Sequence, residues 1–424
     1  MSNATLVHLL VVLTAWTLLA PTTATGFIRP FGSEFVDDQC RSFVPVGWNS
    51  YQELNHAAAD QAQQVLSGKA APDGANPAQH EFVLGQQAGF TVMRMFAHGD
   101  SPRWQLQTAP GQYNDYFLRG LDYALNQAAV HNIKVIVVPV NHGLVAGTGD
   151  GLLQYVKWAG LSTAIPADPT QPSDIDHFWT SPVAKGFVKD HLRFLATHVN
   201  VFSGRAWKDD PTIFAWDLYN EMRCPYTQLG LSCADQVTAW VGEMAAYLKS
   251  VDPNHMVTVG EEGFFDYRGP DIESNPTGIP ANLQVPGSYG RYWAAHVGQD
   301  FVTQHSSPNI DFAAVHLWPV NWNTTDPGFV QTWLAAHMAA AKQLGKPLIV
   351  EEFGYQVAYS DAEITAKRDP VFRAILQAVQ QSLAEGGPLR GDLFWRWDTT
   401  AVQGATTCPT CVTDLVRSVD STFR

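Results

Sequence analysis

Charged side chains are few in this sequence of 424 residues, and basic ones are the scarcer kind. Only 16% of the residues are Asp, Glu, Lys or Arg, and 26 basic residues stand against 40 acidic ones, for a formal net charge of −14. Nucleic acids and anionic membrane surfaces carry the same sign of charge and would repel such a chain. The composition therefore argues against nucleic acid and membrane as partners.

Long apolar runs are missing from the sequence after its N-terminus. The one such run, Leu6–Ala20, is followed by Pro21 and the small residues of TTATG, and no Lys or Arg precedes it. It is too short for a membrane span, and its end at small residues is typical of a secretory signal peptide cut near Ala24. An apolar first helix of the fold is the alternative. We expect a signal peptide at residues 1–25 and a secreted, extracellular catalytic domain at residues 26–424.

Cysteine is scarce as well, with five in the chain. Cys224 and Cys233 flank a short segment, and Cys408 and Cys411 form CPTC near the end, so two local disulfides are expected in an oxidising compartment. Cys40 is then left over. A redox role for CPTC would need a thioredoxin-like context that the tail lacks, and a four-cysteine zinc site would need more similar spacings.

The sequence also lacks repeats, low-complexity tracts and a Ser/Thr/Pro-rich linker, so an appended binding module is not expected. Short β-branched runs alternate instead with longer helical patterns. The predicted strands span residues 43–48, 90–96, 134–140, 212–219, 256–260, 311–317, 347–353 and 392–397. Eight strands that alternate with helices predict a single-domain α/β fold, a (β/α)8 TIM barrel. A doubly wound sheet is the alternative, but it would be expected to carry a Gly-rich phosphate-binding turn after an early strand. The sequence contains no such turn.

Aromatic residues, in contrast, are plentiful. They make up 12% of the chain and include 14 Trp. The flat apolar face of an indole can stack on a sugar ring without any need for charge. An acidic, Trp-rich chain therefore suits an uncharged polymer as its ligand.

Polar residues follow the predicted strands at their carboxyl ends, where barrel enzymes carry their chemistry. Each of them alone is more often an ordinary helix cap or pairing group, but their joint placement predicts an active site. They are Asn49, Arg94, His98, Asn141, His142, Asn220, Glu221, Glu261, Glu262, His316, Glu351, Glu352, Trp395, Trp397 and Asp398.

Two carboxylates in this set suit the cleavage of a glycosidic bond. Cleavage with retention needs one acid to protonate the leaving oxygen and one carboxylate to attack the anomeric carbon, about 5 to 5.5 Å apart. Glu221 after strand 4 and Glu352 after strand 7 come from opposite sides of the barrel mouth and can meet there. We expect Arg94 to lower the pKa of Glu352, and burial or the charge of Glu352 to raise the pKa of Glu221. The candidate histidines are scattered singly without ligand spacing, so neither a metal nor another cofactor is expected.

Eight segments between about residue 44 and residue 397 are similar to endo-β-1,4-mannanases of glycoside hydrolase family 5. They are GWNSY, VMRMFA, QYVKWAG, WKDDPTIFAWDLYNEMRC, GEEGFF, DFAAVHLWPVNW, KPLIVEEFGY and DLFWRW. The resemblance implies an endo-acting enzyme that cleaves β-1,4-mannosidic bonds in mannan, glucomannan or galactomannan with retention. A related β-1,4-glucanase, a mannan transglycosylase and a barrel that binds carbohydrate without turnover are the alternatives.

The resemblance also implies a role for each matching residue. Glu221 matches the acid/base, and Glu352 rather than Glu351 matches the nucleophile, because the family's glutamate directly precedes an aromatic–Gly pair. Cys224 falls in a loop where the family commonly carries a disulfide, which supports its pairing with Cys233. The positions that match substrate-binding residues are Arg94, Asn220 and His316, together with Trp395 as the floor of the subsite where the bond breaks.

Three residues depart from the family's pattern. Trp318 stands where the family usually has a Tyr in contact with the nucleophile, and we include it in the substrate-binding set although it can donate only from its indole nitrogen. Gln52 replaces a tryptophan of plant-type members, and Met222 replaces the proline after the Asn-Glu pair. These changes bear on the tuning of Glu352 and on the affinities of the subsites, and they remove neither carboxylate.

Overall fold

The eight predicted strands all form, and they make a parallel barrel. The computed structural model describes residues 26–51, 53–67, 77–98, 105–142, 151–164, 173–224, 233–280, 287–324, 326–355, 364–395 and 397. The barrel strands are β1 Val46–Ser50, β2 Val92–Phe96, β3 Lys134–Val138, β4 Ile213–Asn220, β5 Met256–Gly260, β6 Ala313–Leu317, β7 Leu348–Phe353 and β8 Leu389–Phe394.

The strand order is β5-β4-β3-β2-β1-β8-β7-β6, and each neighbouring pair is parallel. Backbone hydrogen bonds join the two outermost strands, from Asp311 N to Val257 O at 2.7 Å and from His316 N to Glu261 O at 2.9 Å. These bonds bring β5 against β6 and close the sheet. The predicted (β/α)8 TIM barrel is confirmed.

Helices return the chain between the strands, as the alternating pattern predicts. They are α1 Glu53–Ser67, α2 Pro77–Gln87, α3 Asp115–Val130, α4 Leu152–Trp158, α5 Pro182–Thr197, α6 Cys233–Val251, α7 Phe301–His305, α8 Phe329–Leu344 and α9 Asp369–Glu385. Their caps follow sequence signals: Ser181 accepts a hydrogen bond from Ala184 N before α5, and Gly345 ends α8 in the left-handed region. None of the helices in the described ranges is long and apolar enough to span a membrane.

The bottom of the barrel is filled by apolar side chains and covered by an N-terminal hairpin that the sequence did not predict. Strands Arg29–Phe31 and Glu34–Val36 pair antiparallel in this hairpin. Its Phe35 is fully buried and packs edge-on against Phe214 and Phe312, with ring centroids 5.3 and 5.4 Å apart. The polar groups are left to the opposite end of the barrel, where the strands end.

The abundance of tryptophan has a structural explanation that differs from our expectation. Eight of the 14 Trp are fully buried between strands and helices, so they pack the core and offer no face to a ligand. They are Trp48, Trp179, Trp207, Trp216, Trp240, Trp293, Trp322 and Trp333. For these residues the interpretation as sugar-stacking platforms is wrong, because a large aromatic ring also stabilises a core by the area it buries.

The cysteine predictions are resolved in part. Cys40 is an exposed free thiol, as expected for the residue left over. Cys224 is disulfide-bonded, but the side chain of its predicted partner, Cys233, is outside the described part of the chain. The signal peptide at 1–25 and the CPTC pair at Cys408 and Cys411 also lie outside it and stay predictions.

We expect Gly47→Ala to lower the free energy of unfolding by about 3 kcal/mol, because close packing in β1 leaves no space for a methyl group. A Cβ at Gly47 would lie 1.7 Å from the Val92 carbonyl oxygen of the neighbouring strand. Gly186→Ala in α5 is the matched control, since a Cβ there meets nothing within 4 Å. Its free energy of unfolding should rise by up to about 1 kcal/mol, because Ala favours a helix more than Gly does. Urea unfolding of both variants measures the difference, and equal midpoints would contradict the packing argument.

Candidate active site

Glu221 and Glu352 meet at the mouth of the barrel together with His316. One carboxylate oxygen from each glutamate and one ring nitrogen of His316 all lie within 4.8 Å of one another. Glu221 directly follows β4, Glu352 lies near the end of β7 and His316 near the end of β6. The predicted encounter of two acidic side chains from opposite sides of the barrel is therefore present in the structure.

Both carboxylate oxygens of Glu352 accept a hydrogen bond. Arg94 donates to Oε2 from Nη1 at 3.0 Å, and the Trp318 indole donates to Oε1 from Nε1 at 2.9 Å. Gly354 makes room for the indole, since a Cβ there would lie 2.4 Å from the Trp318 ring. The Trp that replaces the family's usual Tyr thus holds the carboxylate through its one polar atom, and Glu352 is fixed in position by two donors.

Glu221 is held differently and is more open to solvent. Its side chain is 30% exposed, and among the described residues it pairs with His316, whose Nδ1 lies 2.9 Å from Oε1. Its backbone has φ 53, the left-handed region, and its N–H donates to Gly260 O at 2.7 Å. A non-glycine residue in this region is strained and persists only where its surroundings enforce it. The bend turns the carboxyl group towards the cleft.

Arg94 forms the buried base of the site. It is inaccessible to solvent, and its guanidinium donates to Asp217 at 2.6 Å, to Asn220 Oδ1 at 2.7 Å and to Asn49 Oδ1 at 3.0 Å. Glu351 lies 3.7 Å away. Burial alone would lower the pKa of Arg94, but the charges of Glu351 and Asp217 raise it further than burial lowers it. The guanidinium therefore stays positive and ties β1, β2, β4 and β7 together.

The electrostatic expectation for the two glutamates is wrong in direction for the substrate-free site. Burial, reinforced by the charge of Glu221, raises the pKa of Glu352 to about 7 although His316 and Arg94 oppose this. Burial also acts to raise the pKa of Glu221, but the hydrogen bond and charge of His316 outweigh it, so that the pKa of Glu221 lies below its usual range. The sequence did not show that the imidazole would sit against Glu221.

His316 is the cation that produces this result. Burial alone would lower its pKa, but the charge of Glu352 and the hydrogen bond to Glu221 raise the pKa of His316 to about 10. Below about pH 7 the three side chains therefore hold two protons, one on His316 and one on the carboxyl pair. A pair that interacts this closely takes up its proton as a unit.

Known proteins that are similar to this chain identify its family. The family model described as GH family 5 beta-mannosidase-like matches residues 27–273 and 281–408. The chain belongs to glycoside hydrolase family 5. Among the similar curated proteins, mannan endo-1,4-beta-mannosidase 1 of Oryza sativa subsp. japonica is 36% identical over 382 residues, 88% of this chain and 78% of the relative. Mannan endo-1,4-beta-mannosidase 5 of Arabidopsis thaliana is 34% identical over the same shares of the two chains.

Solved structures agree with the family assignment. The endo-1,4-beta-mannanase from Rhizomucor miehei has a TM-score of 0.66 and 26% identity, and the match covers 94% of this chain and 99% of that one. The endo-beta-1,4-mannanase from Thermotoga petrophila has a TM-score of 0.64 and 26% identity, with 84% of this chain and 68% of that chain covered. The chain is thus a family 5 glycoside hydrolase with the family's barrel.

The remaining substrate-binding candidates of this family 5 enzyme also lie at the mouth. Asn220 Oδ1 is used by Arg94, and its Nδ2 donates to Asn141 Oδ1 at 2.9 Å, which leaves a second N–H of the amide for a ligand. Trp395 is half-buried beside Trp318, with ring centroids 6.4 Å apart. Gln52 falls outside the described residues. Met222 is fully buried where the family usually has proline, and its carbonyl accepts from Gln299 at 3.0 Å.

Three further acidic residues shape the site, of which sequence reasoning placed Glu261 and Glu262 at a strand end and missed Asp217. Asp217 lies inside β4 and pairs with Arg94, and a charged residue within the apolar run TIFAWDLY was the signal for it. Glu261 is fully buried, and burial followed by the charge of Asp300 raises its pKa well above the ordinary value. Glu262 accepts a hydrogen bond from Arg223 Nε at 2.7 Å, two positions after Glu221. The sequence placed Glu261 and Glu262 at a strand end, but it did not indicate the partners of any of the three residues.

Two histidines with buried ring nitrogens follow β2 and β3 at the carboxyl end of the barrel. Both ring nitrogens of His98, and Nε2 of His142, have no hydrogen-bond partner within the described ranges. Burial, reinforced by the neighbouring His191 for one and by Arg223 for the other, lowers the pKa of His98 and of His142 to about 3. Both rings are therefore uncharged at neutral pH.

Arg94→Met should lower the free energy of unfolding by about 3 to 5 kcal/mol, because it leaves buried carboxylates without their cation. Arg193→Met is the matched control: Arg193 pairs with Asp190 at 2.9 Å, but both side chains are more than half exposed, so the change should stay within about 0.5 kcal/mol. Urea unfolding monitored by tryptophan fluorescence compares the two. An Arg94 variant as stable as the control would contradict the role of this guanidinium.

Proposed function

We propose that the chain is a secreted, endo-acting β-1,4-mannanase that works with retention of anomeric configuration, with Glu221 as acid/base and Glu352 as nucleophile. The observation that carries the proposal is the approach of these two carboxyl groups to within 4.8 Å in a family 5 barrel. Inverting enzymes need a wider separation, about 6.5 to 9.5 Å, to admit a water between the carboxyls. The spacing here favours direct attack by a carboxylate.

In the first chemical step Glu352 attacks the anomeric carbon of the bound sugar. A bond forms between a Glu352 oxygen and that carbon, the carbon–oxygen bond to the leaving sugar breaks, and the Glu221 proton goes to the leaving oxygen. In the second step Glu221 takes a proton from water, and the water oxygen attacks the anomeric carbon. The ester bond breaks, Glu352 leaves as a carboxylate, and Glu221 is protonated again.

The proton arrangement of the free site supports this sequence although it is not yet the reactive one. Reaction needs Glu221 protonated and Glu352 ionised, with the same total of two protons on the two glutamates and His316. Substrate binding therefore has to move the shared proton between carboxyl groups, and no exchange with solvent is required. Two hydrogen bonds from Arg94 and Trp318 stabilise the ionised Glu352 once the proton has moved.

Formation of the glycosyl ester then turns Glu221 into a base. The ester carries no charge, so the repulsion between the two carboxylates disappears and the pKa of Glu221 falls. His316 remains 2.9 Å from Glu221 and stabilises the carboxylate that accepts the proton from water. The same contact that opposes protonation of Glu221 in the free enzyme thus assists the second step.

The names of similar proteins support mannan as the substrate of this chain. Similar proteins from Oryza sativa and Arabidopsis thaliana are named mannan endo-1,4-beta-mannosidases, and the solved neighbours at 26% identity are endo-mannanases. The net charge of −14 disfavours an anionic polymer and suits an uncharged polysaccharide. Secretion rests on the apolar run at residues 6–20 followed by small residues. A β-1,4-glucanase and a mannan transglycosylase remain the competing activities.

Products separate these activities. Mannohexaose should be cut internally to smaller oligosaccharides, with the β-anomer formed first, as proton NMR of the fresh digest would show. Galactomannan and glucomannan should be degraded and cellulose left intact. Glucose oligomers from cellulose would overturn the assignment to mannan, and products longer than mannohexaose would indicate transglycosylation.

Glu221→Gln and Glu352→Gln should each lower kcat on mannan at least about 1,000-fold, because each removes one participant in the bond cleavage. An activated aryl mannoside distinguishes the roles of the two glutamates. Its leaving group needs no proton, so the Glu221→Ala variant should still form the glycosyl ester. Added azide should then attack this ester in place of water and restore turnover. Glu243→Gln, a change far from the cleft at a residue paired with Lys185, is the control and should keep full activity. Full activity in either cleft variant refutes the assignment.

The pH profile tests the tuning of Glu352. Glu352 is protonated below its pKa of about 7 and ionised above it. Because the reaction needs one proton on the pair Glu221 and Glu352, kcat/KM should fall as the pH rises through about 7. Trp318→Phe removes a donor that lowers this pKa, so the alkaline limb should move to higher pH and kcat/KM should drop about tenfold. Trp322→Phe, also buried but without a contact to Glu352, should leave the limb in place; an unmoved limb in Trp318→Phe refutes the tuning.

A further inference from the structure

A second cluster of metal-ligating side chains lies outside the cleft, between the first two helices. Glu53 and His56 stand three residues apart in α1 and therefore share one face of it. Glu81 comes from α2. One carboxylate oxygen of each glutamate and one ring nitrogen of His56 lie within 4.8 Å of one another. Two helices thus bring two oxygens and a nitrogen to one point.

Burial makes this cluster different from an ordinary group of acidic surface residues. Glu53 is inaccessible to solvent, Glu81 is 1% exposed and the neighbouring Asp60 is 2% exposed. Among the described residues, the groups that act on Glu53 are negative or neutral: Glu81, Asp60 and the hydroxyl of Ser50. Concentrated negative charge in a buried place is costly until a cation or a proton offsets it.

Glu53 presents an unused ligand atom at this point. Its Oε2 receives the Ser50 hydroxyl at 3.4 Å, but its Oε1 is fully buried and has no hydrogen-bond partner in the part of the chain that the structure describes. Glu81 is oriented from behind, because the Trp48 indole donates to its Oε1. Such outer hydrogen bonds fix ligands around bound metals. A buried carboxylate oxygen without a donor, in one cluster with an imidazole and a second carboxylate, favours the binding of a cation.

We propose that Glu53, His56 and Glu81 bind one divalent zinc ion that joins α1 to α2. Zinc accepts imidazole nitrogen and carboxylate oxygen at about 2.0 to 2.2 Å with four ligands, whereas calcium and magnesium prefer oxygen alone. The present spacing needs only small side-chain movements to reach such a geometry. His56 is half-buried and is thus the most exposed of the three ligands, and we assign the fourth position to water.

The ion would act on stability and has no part in the proposed cleavage. α1 follows β1, which carries Asn49 of the active site, and α2 leads to β2, which carries Arg94. A link between the two helices would therefore hold two strands of the mouth in register. Its competitor is a proton shared by Glu53 and Glu81, which would neutralise the same charge without any metal.

The test must separate this cluster from the cleft, because Glu221, His316 and Glu352 lie within the same distance of one another and can also attract zinc. The full chain with Glu352→Gln is stripped with a chelator, and zinc binding is measured by titration calorimetry and by metal content after gel filtration. We expect one zinc per chain and a higher Tm with zinc, but no such rise with calcium.

Variants of the cluster are then made in the same background. His56→Gln and Glu53→Gln should each weaken zinc binding more than about 100-fold and abolish the rise in Tm, since each removes a direct ligand. His80→Gln, one position before Glu81, is the matched control and should bind zinc unchanged. Two variants are used because either alone could fail to fold. No zinc in the Glu352→Gln protein, or equal affinity in the cluster variants and the control, overturns the site.

Discussion

The ion pair between Arg94 and Asp217 inside the barrel is the contact on which the active site depends. Neither side chain is accessible to solvent, and the guanidinium also reaches Asn49, Asn220 and Glu352. Its five donors in a rigid plane allow one residue to orient groups from three other strands, which a lysine could not do. A buried charge is costly to leave unpaired, so the network holds a single arrangement of the mouth. The positions of Asn220 and Glu352, the proposed substrate-binding residue and nucleophile, follow from that arrangement.

The residue at position 318 shows how a site can keep a contact while the residue type changes. The family usually carries a tyrosine hydroxyl there, which can both donate and accept, whereas an indole can only donate. In this chain the indole nitrogen lies 2.9 Å from Glu352 Oε1, and Gly354 makes the necessary space. A donor-only partner stabilises an ionised Glu352 but cannot accept a proton from a neutral one. The substitution therefore favours the charged form of Glu352, which is the nucleophile of the proposed mechanism.

The sequence predicted the barrel more completely than it predicted the site. Periodicity located all eight strands, and the largest error was at β8, which begins at Leu389 and not at residue 392, because Arg390 and Gly391 interrupt the apolar pattern. The meeting of Glu221 with Glu352 followed from topology. The reversal of their pKa values did not, because it depends on which carboxylate the imidazole of His316 contacts, and side-chain pairing across a barrel leaves no trace in spacing. The same is true of the partner of Asp217.

The strain at Glu221 and the charge on His316 act on the same group, and together they explain why the free site is not in its reactive state. The left-handed backbone turns the Glu221 carboxyl into the cleft, where it is 30% exposed, while the imidazolium keeps it ionised. A sugar that fills the cleft removes water from that carboxyl and leaves Glu352 with its two donors. Loss of water penalises the charged form of Glu221 more than that of Glu352, which is already buried. In the proposed mechanism, a bound ligand thus moves the shared proton from Glu352 to Glu221, the side chain that would protonate the leaving oxygen.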